Sequence, residues 1–145
     1  MMFLLFGAFA ALAVALLGLC FYAFSAYVMF RIGDKFGNRC SFFEFLIPFY
    51  NLLLLCDCAG VARWTAAAMA FAPFAALLSL FACGSFRSVV LCSAAALFIF
   101  SWGYLWGSVA RRLGKNFLLW GASSVLFGGI PVLFLAFDQS LPPRR

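Results

Sequence analysis

FFEFLIPFYNLLLLCDC, residues 42–58, is too apolar for a loop and too short for a membrane span. Its uncharged core, residues 45–56, reaches about 18 Å as a helix, well short of a hydrocarbon layer about 30 Å thick. It also carries Glu44, Pro48, Asn51 and Asp57, which lipid-facing backbone does not tolerate. How this stretch is placed fixes the topology of everything around it.

The surroundings are oil. Of 145 residues 68% are hydrophobic and only 10% charged, with 21 Phe and a mean hydropathy of +1.12. A water-facing shell needs about a quarter of the residues charged, so composition points to an integral membrane protein of one domain, residues 1–145. The net charge of +6 sits in short turns between apolar runs, which excludes nucleic acid as the expected partner. Residues 1–30 have no charge and their apolar run is too long for a cleaved leader, so the first run reads as a retained span.

The absence of His removes His-based proton relays, Ser/His/Asp and Cys/His triads and His-ligated metal. Only Asp34, Glu44, Asp57 and Asp138 remain as acids, so no catalytic residue and no cofactor is expected. Cys56-Asp57-Cys58 invites a thiol-redox or metal reading, yet the spacing is C-x-C and only Cys40 and Asp57 could join Cys56 and Cys58 as ligands.

Charges cut the chain into five uncharged runs, and four are long enough to cross: about 2–30, 64–85, 88–110 and 116–137. If 42–58 does not cross, Arg31, Lys35, Arg39, Arg63, Arg111, Arg112 and Lys115 share one side. Arg87, Arg144 and Arg145 then face the other. A crossing segment would scatter these charges, against the rule that basic turns stay in the cytoplasm. The expected architecture is therefore all-α: four transmembrane helices plus one re-entrant or interfacial half-helix, about 41–57, on the cytoplasmic side. Both termini are expected outside, in a cell membrane of bacterial inner-membrane type. Trp64, Trp102, Trp106 and Trp120 cluster toward the same inner boundary.

Within the half-helix, Ser41, Glu44, Pro48 and Asn51 recur at intervals of three and four, one face of a helix. That stripe would face headgroups or line an inner vestibule, with Asp57, Arg63 and Arg39 as ion-pair or vestibule partners. Small residues at helical spacing, Gly7, Ala11, Ala15 and Gly18 in the first span and Gly103 and Gly107 in the third, predict close helix packing within the bundle. The turn RIGDKFGN before LIPFYNLLL parallels RRLGKNF before GGIPVLFLAF, which suggests a parallel duplication matching Pro48 with Pro131.

The run Ile47-Pro48-Phe49-Tyr50-Asn51, the Gly60–Trp64 approach to a span, RRLGKNFLLWG and LFGGIPVLFLAFD resemble a bacterial and archaeal family of small four-span membrane proteins with an Ile-Pro-x-Tyr-Asn motif and no established activity. Leu113, Gly114 and Lys115 stand where that family has Phe-Gly-Lys, and its Trp ahead of the motif is replaced by Phe. The resemblance covers most of residues 30–138 and implies a fold.

The expected function is non-enzymatic: an accessory, scaffold or assembly subunit acting through its cytoplasmic face. Arg31, Lys35, Arg111, Arg112, Lys115, Trp64 and Trp106 would contact anionic lipids, a membrane-protein partner or a second copy. The alternatives are a small transporter or channel with a vestibule at Glu44, Asn51 and Asp57, and a membrane thiol-redox protein using Cys56 and Cys58.

Overall fold

The structure is a computed structural model that describes residues 2–81 and 84–140. Seven α-helices and one 3₁₀ turn follow in order: α1 Met2–Lys35, α2 Phe42–Phe45, α3 Tyr50–Ala59, α4 Trp64–Leu78, the 3₁₀ turn Ser79–Phe81, α5 Ser85–Arg112, α6 Phe117–Leu126 and α7 Ile130–Phe137. No strand occurs among the described residues. Three helical stretches are long and apolar enough to cross a membrane: Phe6–Lys35, Trp64–Phe81 and Ser85–Arg112.

The fourth expected span is corrected. Residues 116–137 do not form one helix, because Phe127-Gly128-Gly129 interrupts it and Gly128 takes φ +61°. A continuous helix would hold Lys115 and Asp138 about 35 Å apart, yet their side chains form an ion pair. α6 and α7 are the two arms of a hairpin whose ends meet.

Residues 41–59 behave alike. α2 stops at Phe45, the chain turns through Leu46–Phe49, and α3 returns. Asn38 Nδ2 lies 3.7 Å from Cys58 Sγ, although twenty helical residues would span about 30 Å. The tip reaches far along the bundle. Tyr22, thirteen residues before the end of α1, donates its hydroxyl to Leu46 O at 2.9 Å, and Phe49 stacks on Phe74 of α4. The break at Pro48 leaves carbonyls without a helical donor, and Tyr22 satisfies one of them. Phe49 itself sits at φ 68°, a left-handed conformation costly for a bulky residue.

The break also overturns the expected polar stripe. Ser41 and Glu44 belong to α2, Asn51 to α3 and Pro48 to the turn between them, so the four share no helical face. Glu44 instead reaches back to the Ser41 backbone N–H at 3.3 Å, one limb of a capping box.

The core lies where α1, α3, α5 and α7 converge, around Val28, Ile32, Leu55, Leu105, Val109, Leu135 and Ala136. α4 and α5 pack as the antiparallel pair that their short connection requires. Gly103, Gly107 and Gly121 bring α5 and α6 into backbone contact. A Cβ on Gly121 would stand 2.8 Å from Gly103 O, and one on Gly107 2.8 Å from the Phe117 ring. The small residues of α1 find no such neighbour, since nothing lies within 4 Å of a Cβ built on Gly7 or Gly18.

Candidate functional site

The C-terminal ends of α1 and α5 gather the chemistry. Each long helix closes with a glycine in the left-handed region, Gly37 at φ +71° and Gly114 at φ +76°. The following amides bond back in a Schellman pattern, Asn38 N to Gly33 O and Lys115 N to Ala110 O. Two residues before each glycine stands a cation, Lys35 or Arg112. Each then reaches across to the hairpin that belongs to the other half of the chain.

Lys35 Nζ donates to Leu135 O at 2.7 Å and to Asp138 O, at the end of α7. Arg112 Nη1 donates to Cys58 O at 2.9 Å, at the end of α3. Both cations thus cap the last carbonyls of a short helix, where the partial charge is negative. The outgoing arms are held in parallel fashion: α1 supplies Tyr22 to Leu46 O, and α5 supplies Trp102 Nε1 to Ser124 O at 3.2 Å. Two halves with one element order, each capping the other's returning helix, give structural content to the duplication suggested by the turns.

Two ion pairs complete this end. Arg63 meets Asp57 through two contacts of 3.3 Å, which is the ion-pair form of the expected Asp57–Arg63 contact; Arg39 takes no part in it. The Asp57 carboxylate raises the Arg63 guanidinium above its ordinary value by hydrogen bonding. Lys115 pairs with Asp138 and lies 4.7 Å above the Trp120 ring. That hydrogen bond from Lys115 holds the Asp138 carboxyl below the usual aspartate range.

Of the seven basic residues expected on this face, four are therefore engaged by the protein: Lys35, Arg63, Arg112 and Lys115. Arg31, Arg39 and Arg111 are exposed and have no hydrogen-bond or ion-pair partner among the described residues. Trp64 is 83% exposed. Trp106 corrects the expectation of a surface contact: it is 0% exposed, edge-to-face against Trp102 in the core. Arg144 and Arg145, expected on the opposite side, lie outside the described residues.

Glu44, Asn51 and Asp57 are engaged separately. Glu44 is spent on the α2 cap, Asn51 is buried in the first turn of α3, and Asp57 is exposed with Arg63. Cys56 and Cys58 are both buried in α3, and no group of three metal-ligating side chains occurs among the described residues. Cys40 donates to Asn38 Oδ1 at 3.0 Å, with its thiol pushed up by burial and then by Glu44, the opposite of thiolate activation. The groups that sequence reasoning passed over are the C-terminal carbonyls of α3 and α7. Backbone groups carry no residue-specific signal, although the paired Lys35-x-Gly37 and Arg112-x-Gly114 spacing was visible.

The arrangement defines a class: a helical chain with three helices fit to cross a membrane and two hairpins whose open ends share one basic face. No family model matches the chain, and neither a curated protein nor a solved structure is similar to it.

Proposed function

We propose that this is a bacterial inner-membrane protein with three spans, α1, α4 with its 3₁₀ turn, and α5. The two hairpins enter the cytoplasmic leaflet and return. On this reading the N-terminus is outside, Ser140 is inside, and α4 is the connector that lets both halves point the same way. The function is that of a non-enzymatic accessory, scaffold or assembly subunit, and the Ile47-Pro48-Phe49-Tyr50-Asn51 likeness to small membrane proteins belongs to the same reading.

One observation carries it: the described basic residues other than Arg87 gather at one end, and Arg31, Arg39 and Arg111 are exposed there without partners among the described residues. Such a face suits anionic headgroups and an acidic surface on a membrane-protein partner. The test is affinity purification from membranes of cells carrying wild type or the triple variant Arg31→Gln, Arg39→Gln, Arg111→Gln. A partner retained by wild type and lost by the variant supports docking. The reading falls if wild type retains no stoichiometric partner and deleting the gene leaves membrane complexes intact.

A further inference from the structure

An open groove of about 570 Å³ runs along the hairpin of α6 and α7. Its wall is apolar and aromatic, from Trp120 on α6 and from Ile130, Leu133 and Phe134 on α7. Its mouth is not apolar: Lys115 and Asp138 stand at one end of the lining. There the Lys115 ammonium holds the Asp138 carboxylate, and the Lys35 ammonium holds the Asp138 carbonyl oxygen. One cation thus holds an internal anion at the end of this apolar groove, and a second stands on the same residue's backbone carbonyl.

We propose that this slot binds an anionic phospholipid from the cytoplasmic leaflet, with one acyl chain along Trp120 and Phe134 and the phosphate taking the place of the Asp138 carboxylate on Lys115, beside the Lys35 ammonium that caps α7. Asp138 acts as a built-in competitor. It neutralises one of the two cations when the slot is empty and must swing aside for the headgroup to enter. That motion is open to it, because Asp138 is exposed and follows the last residue of α7. The pair lies at the chain's basic end, at the depth where headgroups sit if the hairpin enters the inner leaflet; this step rests on the membrane reading given above. Charge complementarity selects the ligand: Lys115 in the lining and Lys35 on the Asp138 carbonyl set two ammonium groups against one carboxylate, so a zwitterionic lipid gains less than an anionic one.

Trp120 lines the slot beneath Lys115 and serves as the reporter. The whole protein is labelled with 5-fluorotryptophan in dodecylmaltoside micelles, and the Trp120 fluorine resonance is assigned by its loss in Trp120→Phe. Phosphatidylglycerol is titrated in, with phosphatidylcholine of the same acyl chains as comparison. The expected result is a saturable shift of the Trp120 resonance with phosphatidylglycerol alone. Asp138→Asn should tighten the apparent affinity about fivefold and Lys115→Gln should loosen it by a similar factor. The Trp64, Trp102 and Trp106 resonances report whether each variant keeps its fold. A Trp120 resonance that ignores phosphatidylglycerol in both wild type and Asp138→Asn overturns the proposal, as does an equal response to the two lipids or weaker binding in Asp138→Asn. Carbonate extraction separates the two levels: a protein that stays in the membrane pellet but shows no such shift removes this inference alone.

Discussion

Lys115 and Asp138 form an ion pair across twenty-three residues of sequence, and that contact folds the last apolar run back on itself. A straight span could not make it. Cysteines placed at Asn116 and at Gln139, in a background without the native cysteines, should therefore react with a membrane-impermeant maleimide from the same side. Labelling from opposite sides would restore the fourth span and remove the hairpin.

The exchange of caps predicts paired losses. Lys35→Met strips donors from the end of α7 and Arg112→Met from the end of α3, each costing about 1 kcal/mol at these partly exposed sites. Chemical unfolding in mixed micelles should find the two losses similar in size. A loss confined to one of them would deny that the two halves are held alike.

Gly60 tests the same cap from the other side. It sits at φ +62°, and a Cβ there would stand 1.7 Å from Arg112 Nη2, whereas Gly37 and Gly114 share the positive φ but have nothing within 4 Å. Gly60→Ala, Gly37→Ala and Gly114→Ala should each pay about 1 kcal/mol for the backbone. Gly60→Ala should lose more, because Arg112 is driven off Cys58 O. In an Arg112→Met background that excess should vanish, which a double-mutant cycle reads directly.

Phe49 separates strain from packing. Phe49→Ala and Phe49→Gly both lose the ring that stacks on Phe74, but only glycine relaxes the positive φ. Glycine should be the milder change by about 1 kcal/mol. The reverse order in thermal unfolding would show that the turn does not hold residue 49 in the left-handed region.

Acid should loosen the second hairpin. The Asp138 carboxyl is held below its ordinary range by Lys115, so its stabilising contribution is fully present above the unfolded-state value near 3.8 and fades as pH falls through the lower folded-state value. Melting temperatures of wild type should fall toward those of Asp138→Asn as pH drops below about 4. Parallel curves over that range would break the link between this carboxyl and the fold.

Much was legible in the residues themselves. The helical class, three of the four long apolar runs and the antiparallel pairing of α4 with α5 follow from run length and loop length. Those are local quantities. That residues 42–58 do not cross follows from their length and from the placing of the basic turns, and the Asp57–Arg63 pair from a separation of six residues. The expected Ser41–Asn51 stripe failed because periodicity assumes an unbroken helix, and Phe49 at positive φ breaks it. Trp106 was misplaced because an indole ring suits a headgroup layer and a core equally well.

Composition and spacing thus determined that the chain is a bundle of apolar helices with its cations at one end, since hydropathy and charge are written residue by residue. Tertiary structure alone decided that residues 116–138 double back and that each half of the chain caps the other's returning helix. The Gly128-Gly129 turn permits either a kinked span or a hairpin, and only the approach of Asp138 to Lys115 and Lys35, a meeting of groups far apart in sequence, selects between them.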